Sequence, residues 1–188
     1  MNEVLNNILT RRSVRNFKDE QIKDEELELI LEAGIYAPSG KNEQSWQFTV
    51  VQGHDKIEKL AKVVREALGR DEGYNFYAPP TLIMLSNDID NSNGLADCSC
   101  ALENIFLMAN SLGIGSCWIN QLKTLCNEES VRAVLDEFGI PKNHVVWGMA
   151  SIGYPAVKPE AKPRKNGVVK FVKWFYSYRH KIKRHLRL

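Results

Sequence analysis

The chain has 188 residues, 44% hydrophobic and 26% charged, with a formal net charge of +2. That composition supports one self-standing core and excludes wholesale disorder, collagen and coiled-coil classes. No stretch approaches about 18 uninterrupted apolar residues, which excludes a membrane-spanning helix, and the first 12 residues hold no apolar signal core, so the cytoplasm is the expected location.

The small net charge hides an asymmetry. Residues 155–188 carry 11 Lys and Arg against one acid, Glu160, whereas the rest of the chain has 14 basic and 22 acidic residues. Four cysteines, Cys98, Cys100, Cys117 and Cys126, form no C-x-x-C pair. Free thiols are expected in a cytosolic chain of this size.

In chain order, Val4, Leu5, Ile8 and Leu9 fall at helical spacing, and Arg11-Arg12 end the pattern. Asp24 as N-cap, Glu25 and Glu26 in the first turn, and Leu27, Ile30 and Leu31 predict a second helix stopped by Gly34. Phe48–Val51 reads as a short strand closed by Gly53. Ile57, Leu60, Ala61, Val64 and Leu68 give an amphipathic helix, and Ala78-Pro79-Pro80 separates it from an apolar strand, Thr81–Leu85. Asp97–Leu112 is apolar nearly all round, which predicts a helix buried inside the domain or between subunits. Gly113-Ile114-Gly115 stops it ahead of a strand at Ser116–Ile119. Val131, Val134, Leu135 and Phe138 form one more helix face, and Val145–Gly153 a last buried strand. The order predicts a three-layer α/β or α+β domain with a mixed central sheet.

Three clusters carry chemistry. Arg11-Arg12-Ser13-Val14-Arg15 places three guanidinium groups and a hydroxyl within five residues, a donor set suited to a phosphate. The bland alternative is that Arg11 and Arg12 complement a helix C-terminus. Ala37-Pro38-Ser39-Gly40-Lys41-Asn42-Glu43-Gln44-Ser45-Trp46 offers close backbone approach and neutral polar groups, or equally a capped turn. Leu112-Gly-Ile-Gly-Ser-Cys-Trp-Ile-Asn120 runs from helix to strand. A dinucleotide fingerprint runs from strand to helix, so that reading is rejected.

In this order and spacing the clusters resemble the nitroreductase family of FMN-dependent oxidoreductases. Phe76-Tyr-Ala-Pro79, Gly153-Tyr-Pro155 and Lys162-Pro-Arg164-Lys165 extend the resemblance to about residues 1–174, leaving 175–188 as a basic extension. The resemblance implies an α+β, three-layer α/β/α nitroreductase-like fold with a mixed, mainly antiparallel central sheet, and an intertwined homodimer with two FMN sites at the interface. It implies that Arg11, Ser13 and Arg15 hold the FMN phosphate, that Arg12 adds backbone or ribityl contacts, and that Lys162 and Arg164 complete the cage. Pro38, Ser39, Gly40 and Asn42 would meet the flavin ring from the other subunit. Cys117, Trp118, Ile119 and Asn120 would pass beside the ring, and a backbone N–H near Asn120 or Gln121 would donate to N5.

The implied activity is ping-pong hydride transfer from NADH or NADPH through flavin N5 to a nitroaromatic, a quinone or a similar planar acceptor. It needs no catalytic side chain and no metal. A flavin-binding or sensing protein with little turnover is the alternative. Two departures from the family stand out: a short span between Trp46 and Ala78, and Ser45 where the family commonly has Pro. The basic tail invites a nucleic-acid reading, but the acidic body would repel a polyanion.

Overall fold

Two strands are apolar on both faces, and such strands need a cover on each side. They are β2 (Thr81–Asp88) and β4 (His144–Gly153), and they form the middle of a four-stranded sheet ordered β1-β2-β4-β3. The edges are β1 (Trp46–Gln52) and β3 (Gly115–Ile119). The computed structural model describes residues 2–157, 159–161 and 163–172. Lys162 and the 175–188 extension lie outside the described residues.

Alternation along β2 divides the core. Leu82 and Met84 face one side with Val51, Val146 and Met149. Helices α3 (His54–Ala67) and α5 (Glu129–Glu137) cover that side with Leu60, Val64, Val131 and Leu135. Ile83 and Leu85 face the other side, under α2 (Asp24–Ile35) and α4 (Gly94–Ser111). The three layers are those expected. All three ladders are antiparallel, so the mixed character reduces to one parallel bridge, Ser13 to Ser116.

The helix from Glu3 to Thr10, α1, forms where its spacing predicts, yet it buries none of its residues. Val4, Leu5, Ile8 and Leu9 remain 48–66% exposed. Side-chain bonds tie α1 to the end of α4: Asn110 Nδ2 donates to Asn7 Oδ1 at 2.6 Å and to Thr10 Oγ1 at 3.1 Å.

Three local expectations change. Asp24 is the first helical residue of α2; the cap is Lys23, whose N–H donates to Glu26 Oε2 at 3.0 Å. Gly34 does not stop α2 but lies buried inside it, where a Cβ would stand 2.8 Å from Phe48 and 3.0 Å from Ile105. Close approach to β1 and α4, not turn chemistry, accounts for that glycine. The strand predicted to end at Leu85 continues through Ser86 and Asn87, both fully buried.

Candidate functional site

The Arg11–Arg15 segment leaves α1 in extended conformation and runs beside the start of β3. The Val14 N–H donates to Ser116 O at 2.9 Å, and Val14 is buried. In extended chain successive side chains alternate, so Val14 turns inward while Ser13 and Arg15 share the opposite side. Further on, Lys18 N–H donates to Tyr154 O and Ala156 N–H to Asn16 O, each at 2.9 Å. That pairing lays Tyr154 to Ala156 alongside the end of the arginine segment, although the two are about 140 residues apart in sequence.

The result is one cavity of about 380 Å³ lined by Arg11, Arg12, Ser13, Arg15, Pro159, Glu160 and Arg164. A second of about 380 Å³ adjoins it through Arg12 and Pro159, and takes in Gly113, Ile114, Gly115 and Ser116. Both fall in the size range of small-molecule sites.

The three arginines are held differently. Arg11 Nε stands 4.0 Å from Glu103 Oε1 on α4. Arg12 Nη1 donates to Leu9 O at 2.8 Å and to Arg11 O at 2.6 Å, so its guanidinium caps the α1 C-terminus while it lines the cavity. Arg15 stands 5.6 Å from the Tyr77 ring centroid, and its Nε donates to the Tyr77 hydroxyl at 3.3 Å. Tyr77 belongs to a run of left-handed residues, Phe76, Tyr77 and Ala78 (φ 56°, 70° and 46°). Such strain persists only where the surroundings fix it. Here Phe76 is buried, and its carbonyl accepts from Ser151 Oγ at 2.9 Å.

β3 supplies the wall beside Arg15. Cys117 is buried; burial pushes its thiol pKa up, and Arg15 and Arg11 pull it partly back. At neutral pH it is a thiol, not a reactive thiolate. Trp118 lies on the other face, 6.0 Å from Phe106 and 41% exposed. Ile119 is buried in the α3–α5 core, and Asn120 is exposed with its N–H donating to Gln121 Oε1 at 3.1 Å.

The 38–42 segment is elsewhere. The Gly40 N–H donates to Asp97 Oδ1 at 2.8 Å, in the first turn of α4, whereas Thr10 meets Asn110 near the last turn. Those anchors are thirteen residues apart, about 20 Å at 1.5 Å per residue. Pro38, Ser39, Gly40 and Asn42 are therefore not gathered with the cationic cavity of the same chain.

Sequence reasoning assigned no role to Tyr77, Glu103, Asp97 or Pro159. Tyr77 stood within a recognised motif, and Asp97 opened an otherwise apolar helix. Glu103 and Pro159 gave no signal, because only the folded chain brings them to the arginines.

The profile of the nitroreductase family matches residues 8–154. A relative from Archaeoglobus fulgidus that carries an NADH dehydrogenase/NAD(P)H nitroreductase name is 39% identical over 158 residues, covering 82% of this chain and 87% of its own. The crystal structure of a nitroreductase with bound FMN from Bacteroides fragilis is 40% identical, with a TM-score of 0.86, covering 92% of this chain and all of the other. A second FMN-bound nitroreductase, from Desulfitobacterium hafniense, is 27% identical with a TM-score of 0.83, over 92% of this chain and all of the other. Fold, matched span and arginine-lined cavity agree, and the chain belongs to the nitroreductase family.

Proposed function

We propose that this chain is an FMN-dependent oxidoreductase that passes a hydride from NADH or NADPH to an electron-poor planar acceptor such as a nitroaromatic or a quinone. The observation that carries this is the convergence of Arg11, Arg12, Ser13, Arg15 and Arg164 on one cavity in a chain of this family. Planar guanidinium groups and a hydroxyl fit a phosphate dianion, and Glu160 is the one acid among the lining residues.

Arg11, Ser13, Arg15 and Arg164 hold the phosphate from two distant parts of the chain. Arg12 fixes the end of α1 and so the positions of its neighbours. Arg15, braced on Tyr77, directs positive charge toward Cys117. The backbone of β3 from Cys117 to Asn120 would run beside the ring, with the Ile119 side chain kept in the α3–α5 core and Trp118 turned to the face opposite Cys117, and a backbone N–H at Asn120 or Gln121 would donate to N5. FMN, when bound, supplies the centre that takes up and returns the hydride.

The 38–42 loop completes the site of a second copy. Its distance from the cavity within one chain favours a two-fold homodimer, in which each subunit lends Pro38, Ser39, Gly40 and Asn42 to the other. The exposed apolar residues of α1, with Ile35 and Tyr36 at the end of α2, supply a surface for that contact. Residues 1–174 form one flavin-binding unit, and 175–188 an extension of it. Among the described residues no helix is long and apolar enough to cross a membrane. The four free cysteines favour the reducing cytoplasm.

The test is the visible spectrum of the purified protein, followed by heat release of the ligand and its mass. Flavin bands with about one FMN per chain are expected. A colourless protein that takes up no added FMN would overturn the reading.

A further inference from the structure

Among the described residues, Asp97 is the one acid that is fully buried, 4% exposed in the first turn of α4. Its Oδ1 accepts the Gly40 N–H at 2.8 Å, and its Oδ2 has no hydrogen-bond partner among the described residues. Burying a carboxylate is costly and needs compensation, here from a backbone N–H and the helix N-terminus. Packing alone gives no reason for a polar side chain at this place.

Gly40 is pressed against the same turn. A Cβ there would stand 2.4 Å from Asn93 Nδ2 and 2.6 Å from Asn93 Cγ, so glycine is what permits the approach. The far end of the loop is fastened as well. Ser45 Oγ donates to Asn87 Oδ1 at 2.9 Å and accepts from Asn91 Nδ2 at 2.9 Å. Between the two fastenings Lys41, Asn42 and Gln44 hold left-handed conformations, with φ of 53°, 58° and 49°. Residues with a Cβ adopt that region in succession only when both ends of a segment are fixed.

We infer that Asp97 is a positioning residue for the flavin site: acting through the Gly40 N–H, it holds the 39–44 loop in the shape that presents Ser39 and Asn42 to the ring in the second subunit. This rests on the reading given under the proposed function. Asp97 itself touches neither cofactor nor acceptor. The requirement is for an oxygen acceptor at Oδ1, so the isosteric amide serves where alanine does not.

The experiment titrates FMN into ligand-stripped protein and follows flavin fluorescence and visible circular dichroism, which reports the ring's surroundings. Asp97→Ala and Gly40→Ala weaken FMN binding at least about tenfold and change the dichroism. Asp97→Asn, which keeps an oxygen acceptor at Oδ1, stays within about threefold of the unmutated protein. Should Asp97→Ala fail to fold, Asp97→Ser, whose shorter side chain cannot reach the Gly40 N–H, decides against Asp97→Asn. Variants that lower the melting temperature but leave FMN affinity and dichroism unchanged would overturn the inference, as would an Asp97→Asn loss as large as that of Asp97→Ala. An unmutated chain that takes up no FMN would overturn this inference and the proposed function together; normal uptake by both single variants would overturn this inference alone.

Discussion

Gly115→Ala tests how the phosphate donors are placed. The added Cβ would stand 2.8 Å from Val14 Cβ and Cγ2, and 2.9 Å from Cγ1, where ordinary contact is 3.4–4 Å. Val14 must therefore retreat by about 0.6 Å or more. Val14 is buried and cannot turn away, so its backbone moves with it. The Val14 N–H bond to Ser116 O, 2.9 Å long, then lengthens to about 3.5 Å, the edge of a hydrogen bond. Overpacking of this kind costs about 1–3 kcal/mol, and each kcal/mol lowers the melting temperature by about 2–4 °C in a domain of this size. Ser13 and Arg15 flank the displaced residue. Loss of one charge-assisted bond, about 1.5–3 kcal/mol, weakens FMN binding roughly 10- to 150-fold. The assay pairs a thermal melt with an FMN titration. Adding Val14→Gly removes the clashing side chain and restores the affinity. A Gly115→Ala protein with the melting temperature and FMN affinity of the parent would refute the argument.

Three further predictions follow from the same geometry. Arg11→Gln weakens FMN about 10- to 100-fold and leaves riboflavin, which lacks the phosphate, unchanged; equal losses for the two would remove Arg11 from phosphate binding. Burial lowers the His144 pKa, against a smaller opposing effect of Asp88. The unfolded chain therefore binds the proton first, and stability falls as pH drops below the ordinary histidine value near about 6.5. Urea melts from pH 7 to 5 should show a slope that His144→Asn reduces. Leu102→Ala, which removes a fully buried side chain between α4 and β4, costs about 2–5 kcal/mol by denaturant melts, and a cost under about 1 kcal/mol would contradict the packing.

Much of the fold can be read directly from the sequence, because periodicity reports burial. Leu60, Ala61 and Val64 on α3, and Ile83 and Leu85 on β2, lie where their spacing puts them. The same logic misreads α1. Val4, Leu5, Ile8 and Leu9 keep helical spacing, but they stay 48–66% exposed, so the signal marks an apolar face and not what covers it. Glycine was ambiguous for a physical reason: Gly34 looks like a stop but serves close packing, and only neighbours distant in sequence, Phe48 and Ile105, distinguish the two. The β2 strand outlasts its apolar run because Ser86 and Asn87 are buried through hydrogen bonds to His144 and Ser45, which no local pattern announces.

The arginine motif was visible as a donor set, and the fold lines one cavity with it and Arg164. What spacing could not reveal is the division of labour within it. Arg12 is taken up by carbonyls, Arg11 faces Glu103, and Arg15 rests on Tyr77. Nor could it reveal left-handed backbone at Lys41, Asn42 and Gln44, since only glycine advertises that conformation in a sequence.

The most direct measurement is anaerobic reduction of the FMN-loaded protein by NADH or NADPH, followed by a quinone or nitroaromatic. The flavin absorbance should bleach with one of the two nicotinamides and return on adding the acceptor. An FMN-loaded protein that stays oxidised with both would contradict the enzyme reading and leave a flavin-binding or sensing protein in its place.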